Sequence, residues 1–177
     1  LSDTNRGRTL RVRSIEEVKD RYFGGTRMTV AIMGAVIVLL LVVTSLGVGA
    51  HQKAWGVAAE RITELDWWES HRVPGTGLTI TAAPSQHFSG RGLKDRNATL
   101  WSSMVVQSER HRVFFSGDTG LTTEYAAIRE RLEPFDLVML EVGAFHPSWG
   151  DIHLGPLNAL KAHALLGGGA FLPVHWG

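Results

Sequence analysis

Three short segments of this chain combine a metal-capable side chain with glycines that let the backbone turn sharply. They are Ser85-Gln-His-Phe-Ser-Gly-Arg-Gly92, Phe115-Ser-Gly-Asp-Thr-Gly120 and Pro173-Val-His-Trp-Gly177. Each carries one candidate ligand, His87, Asp118 or His175, just past an apolar run that reads as a strand. Neutral imidazole and carboxylate together suit Zn²⁺, with Mn²⁺ or iron as alternatives. A carboxylate can also bridge two ions about 3.5–4 Å apart. Singly, each segment has a plainer explanation: a histidine at a strand end is often structural, and Gly-Asp-Thr-Gly forms an Asx turn readily. The conjunction carries the argument. The chain has eight histidines and no cysteine. Thiolate zinc sites, iron–sulfur clusters, disulfide frameworks and a cysteine nucleophile are therefore excluded, and any metal site must use His, Asp and Glu.

Such residues converge only if the elements before them share one sheet. The runs 78–82, 100–106, 112–116, 135–140 and 170–174 read as strands. The polar turn Ser108 to His111 joins the second and third as a hairpin. Glu124 to Leu132 has helical spacing, and Pro156 to Leu166 reads as a helix with Pro in its first turn, stopped by Gly167-Gly-Gly169. A hairpin followed by alternating strands and helices gives a layered α/β fold. Loops at the carboxyl ends of its strands then lie on one rim, where His87, Asp118 and His175 are expected to bring their ligand atoms within about 4–7 Å of one another.

The 177 residues suffice for one domain with a real core. With 44% hydrophobic and 20% charged residues the chain is not a disordered one. A net charge of +1 gives no global attraction for polyanions, so no nucleic-acid partner is expected. Residues 1–27 form a basic segment of local net charge +3, read as a solvated arm. Residues 28–50 carry no charge. As a helix this run reaches about 34 Å, enough to cross a bilayer, with the basic flank on the cytoplasmic side. As a strand, Val36 to Thr44 suits a position covered on both faces. The strand is preferred, because a helix through Ala50 would consume Gly47 and Gly49, each unfavourable by about 1 kcal/mol. The first residue, Leu, and the last, Gly after His-Trp, suggest a piece of a longer chain.

Taken together these blocks resemble the C-terminal part of a metallo-β-lactamase-superfamily hydrolase, in the branch of N-acylphosphatidylethanolamine phospholipase D-like enzymes. The resemblance runs from Leu46 to Gly177. It is carried by Leu46 to His51, Trp55-Gly56, Glu64 to Trp68, Gln86 to Gly92, Thr99 to Trp101, Phe115 to Gly120, Glu141 to Ala144, Asp151 to Pro156 and His175 to Gly177. It implies the C-terminal half of an αββα sandwich, with residues 46–177 as an incomplete domain behind segments 1–27 and 28–45. It further implies two zinc ions, His87 on the first, His175 on the second and Asp118 bridging them. His153 matches a histidine that contacts the substrate phosphodiester or helps the leaving group; the plainer alternative is an imidazole capping the following helix. Asp118 and His153 are thus the implied catalytic residues.

The family's upstream His-x-His-x-Asp-His motif has no counterpart here, since the first histidine of the chain is His51. Each ion is then left with two ligands from this chain, and weak zinc binding and little turnover are expected of it alone. The implied function is zinc-dependent hydrolysis of a phosphodiester in a phospholipid or small molecule, in the cytoplasm or at a membrane. The competing expectation is a non-catalytic, truncated or membrane-tethered remnant. Among other conspicuous residues, Trp67 and Trp68 read as core rather than lipid-facing. Arg91 could fork a phosphate or sit on the surface. His51 is placed near the site rim, and His71, His111 and His163 are read as solvated.

Overall fold

The computed structural model describes residues 42–176 apart from 91, 93, 133, 144 and 145. Two sheets are built in that span. Strand β1 (Val42–Ser45) pairs in parallel with β2 (Ile62–Leu65), and the short helix α1 (Gly49–Ala54) lies between them in sequence. The larger sheet has six strands in chain order: β3 (Ser70–Arg72), β4 (Thr79–Ala83), β5 (Ser103–Gln107), β6 (Arg112–Phe115), β7 (Leu137–Glu141) and β8 (Ala170–Val174). The first three pairings of this sheet are antiparallel and the last two, β6–β7 and β7–β8, are parallel. Two antiparallel steps make β4 point the same way as β6, so the carboxyl ends of β4, β6, β7 and β8 share one rim.

Helices α2 (Glu124–Leu132) and α3 (Gly155–Leu165) cover one face of this sheet. Tyr125 and Ile128 of α2 and Ala159 and Ala162 of α3 meet Val105, Phe114, Val138 and Leu140 from the strands, all essentially inaccessible. Strand alternation explains the sidedness: Phe114 is fully buried, whereas its neighbour Phe115 faces the other way and is 41% exposed. Burying each large apolar side chain contributes about 1.5–3 kcal/mol, so this face holds the fold together. Pro173 sits in the edge strand β8, where an amide donor is dispensable. The chain leaves α3 through Gly167, Gly168 and Gly169, all at positive φ, which an L side chain would resist.

The layered α/β reading holds, with strand ends shifted by at most three residues. The strand expected from Val36 to Thr44 is seen in its last part as β1, and its residues 36–41 lie outside the described residues. Because the chain is extended at 42–45 and turns at 46–48, no helix runs through to Ala50. Among the described residues no helix is long and apolar enough to cross a membrane. The strands β2 and β3 were not foreseen. Residues 62–65 (Ile-Thr-Glu-Leu) lack an apolar run, and β3 has only three residues.

Two histidines read as solvated are not. His163 is half-buried beside the Phe171 ring, and its Nε2–H donates to the Gly169 carbonyl at 3.0 Å, closing the turn after α3. His71, in β3, keeps Nε2 buried without a hydrogen-bond partner among the described residues. His111 is exposed as expected, 3.7 Å from Asp136. The tryptophans act as struts. Trp67 Nε1 donates to the Trp101 carbonyl at 2.7 Å, and Trp101 Nε1 donates to the Ser85 carbonyl at 3.0 Å, just before His87. Trp68 packs on the core under Arg131.

Candidate metal centre

His87 follows β4, Asp118 follows β6, Glu141 ends β7, His153 precedes α3 and His175 follows β8, all at the shared rim. The loops that carry them are tied together. Gln86 N donates to Thr119 Oγ1 at 3.0 Å and Gly120 N donates to the Gln86 carbonyl at 2.8 Å, so the His87 and Asp118 loops are zipped. Gln86 Nε2 donates to the Asp151 carbonyl at 2.8 Å, which draws in the loop bearing His153. Gly120 has a steric reason: a Cβ there would lie 1.5 Å from the Asp151 carbonyl oxygen. Gly143 plays the same part for the end of β8, where a Cβ would lie 2.0 Å from the His175 carbonyl oxygen. His175 itself adopts φ +50, a left-handed conformation that costs a non-glycine residue about 1 kcal/mol or more.

These ties bring the side chains together. Ligand atoms of His87, Asp118 and His153 all lie within 4.8 Å of one another, as do those of Glu141, His153 and His175. His175 Nδ1 is 3.1 Å from Asp118 Oδ1 and 3.6 Å from Glu141 Oε2, and His153 Nδ1 is 3.3 Å from Glu141 Oε2. Burial grades across the site. Glu141 is inaccessible and the His153 side chain nearly so, while Asp118 and His175 are about half exposed toward the open side. The alternative of His153 as a helix cap is not what the geometry shows. The amide at the start of α3, Leu154 N, donates to Glu141 Oε1 instead. Glu141 is the residue that sequence reading left without a role. His51 lies exposed on α1 beside Trp55 and joins neither cluster, and Arg91 lies outside the described residues.

The donor set fits a metal. His87 Nδ1 lies 2.8 Å from the Phe88 carbonyl, which can only accept, so Nδ1 carries the proton and Nε2 the lone pair. That Nε2 is buried and has no hydrogen-bond partner among the described residues. An orphaned acceptor in a polar cluster is unfavourable unless something electrophilic takes it. Imidazole whose second nitrogen is fixed by a carbonyl is the usual form of a metal-bound histidine. Where sequence reading counted two donors per ion, the fold sets His153 beside His87 and Asp118, and Glu141 and His153 beside His175.

The family model described as "Beta-lactamase superfamily domain" matches residues 33–176. The chain belongs to the β-lactamase superfamily, and its fold is the metallo-β-lactamase one. A Mycobacterium tuberculosis protein of uncharacterised function is 47% identical over 135 residues, 75% of this chain and 36% of the relative. The Caenorhabditis elegans N-acyl-phosphatidylethanolamine-hydrolyzing phospholipase D 1 is 39% identical over 140 residues, 75% of this chain and 39% of the relative. Among solved structures, the Ignicoccus hospitalis metallo hydrolase Igni18 superposes with a TM-score of 0.60 at 20% identity, over 76% of this chain and 52% of its own. The chain thus spans less than two fifths of the length of these curated relatives.

Proposed function

We propose that this chain carries part of the centre of a zinc-dependent hydrolase that cleaves a phosphodiester, with a phospholipid as the substrate class. The observation that carries the reading is the buried Nε2 of His87, without a hydrogen-bond partner among the described residues and within reach of Asp118 and His153. The similarity to a phospholipase D supports the substrate class. His87, Asp118 and His175 would hold the zinc ions, with Asp118 shared. Bound zinc lowers the pKa of water toward about 7 and takes up charge on the attacked oxygen. The chain's own part is then positional and protonic. Asp118 and His175 face the open side, where a headgroup phosphate can enter. His153, held through Nδ1, has Nε2 for proton exchange with the leaving oxygen. A phospholipid substrate would bring the protein to a membrane surface.

Zinc titration of the dialysed chain by calorimetry tests the metal, and release of nitrophenol from bis(p-nitrophenyl) phosphate tests the chemistry. Zinc uptake is expected, weakened more than tenfold (about 1.4 kcal/mol) by His87→Ala. Zinc uptake that ignores this substitution would end the reading of the site.

A further inference from the structure

Glu141 is a carboxylate with no accessible surface, at the end of a strand whose other buried side chains, Val138 and Leu140, are apolar. Burying such a charge is costly unless both oxygens are matched. Here Oε1 accepts from Leu154 N at 2.5 Å, at the start of α3, and Oε2 lies 3.3 Å from His153 Nδ1. The backbone amide of Glu141 is itself anchored, donating to Ser116 Oγ at 3.1 Å in the Asp118 loop. One side chain therefore sets both where α3 begins and which way the adjacent imidazole faces. A carboxylate only accepts, so it selects the Nδ1–H form of His153 and leaves the lone pair on Nε2.

We propose that Glu141 is the positioning residue of this centre, acting through His153 by fixing its tautomer and ring orientation; the inference rests on the hydrolase reading above. Glu141→Gln separates this role from support of the helix. Leu154 N can only donate, so the glutamine oxygen must take the place of Oε1. Its amide nitrogen then occupies the place of Oε2 and presents a donor to His153 Nδ1. The cap survives with nearly the same shape, while the tautomer of His153 reverses.

The test is long-range ¹H–¹⁵N correlation on the full chain with ¹⁵N-labelled histidine, at about pH 8, above the ordinary imidazole pKa of about 6.5. His153 should show Nδ1–H in the native chain and Nε2–H in Glu141→Gln. In the zinc-loaded chain the same substitution should lower kcat about 10–100-fold and leave KM unchanged. Glu141→Asp, which keeps an acceptor, should retain the native tautomer. An Nε2–H form in the native chain, or one tautomer in both, overturns the proposal, and the native spectrum decides it even if the glutamine variant does not fold. If the tautomer reverses but the native chain takes up no zinc, the metal-dependent hydrolase reading falls and the positioning of His153 by Glu141 stands.

Discussion

Replacing Gly120 by alanine tests whether the rim is held together by close backbone approach. The added Cβ would lie 1.5 Å from the Asp151 carbonyl oxygen and 2.6 Å from its carbon, against about 3.4 Å for ordinary contact. Gly120 cannot retreat freely, because its carbonyl accepts from Tyr125 Oη and Thr119 Oγ1, both at 3.2 Å, and its amide donates to Gln86. The loop bearing Asp151 and His153 must move instead. That movement breaks the 2.8 Å bond from Gln86 Nε2 to the Asp151 carbonyl, a loss of about 1 kcal/mol. Overpacking against backbone adds about 1–3 kcal/mol, so the expected destabilisation is ~2–4 kcal/mol. Urea unfolding followed by circular dichroism measures it, with an unchanged slope expected since the exposed surface hardly changes. Zinc affinity should fall in parallel, because the clash also strains the zipped loops that carry His87 and Asp118. A variant within about 0.5 kcal/mol of the native chain, with native zinc affinity, would refute the argument that this contact seats the His153 loop.

Gly143→Ala would place a Cβ 2.0 Å from the His175 carbonyl oxygen, pushing His175 from its 3.1 Å approach to Asp118. Calorimetric titration should show zinc affinity falling more than tenfold, while far-ultraviolet circular dichroism stays native because the helix-facing core is untouched. Burial pushes the Tyr125 phenol up from its ordinary value, the Glu141 charge adds to this, and a hydrogen bond with Thr119 partly opposes it. Its neutral form is favoured in the folded chain. Stability from this group is therefore fully present below the unfolded value of about 10 and declines as pH rises above it. Tyr125→Phe should cost about 0.5–1.5 kcal/mol at neutral pH, and the difference from the native chain should shrink above about pH 10. A gap independent of pH in paired urea titrations would contradict this.

Much of this architecture is written locally. The β5–β6 hairpin, α2 and β8 follow from alternation, helical spacing and glycine stops, which act over a few residues. The rim position of His87, Asp118 and His175 follows too, because a metal-capable side chain just past a strand can be recognised without knowing its neighbours. The Glu64 to Trp68 block lies within the stretch matched by the family model, but its strand β2 stays hidden, since a parallel pairing with β1 across 20 residues leaves no local period. Tertiary structure alone decided the rest. In sequence Glu141 is a polar residue closing an apolar run. Its meaning comes from His153 and Leu154, 12 and 13 residues on, and His175, further still. Gly120 and Gly143 read as turn glycines, whereas their role is the space they leave for another segment's carbonyl. A linear pattern records which groups are available and how the chain bends nearby. Which buried acceptor meets which donor depends on strand order and loop packing, and those are settled by burial of the core as a whole.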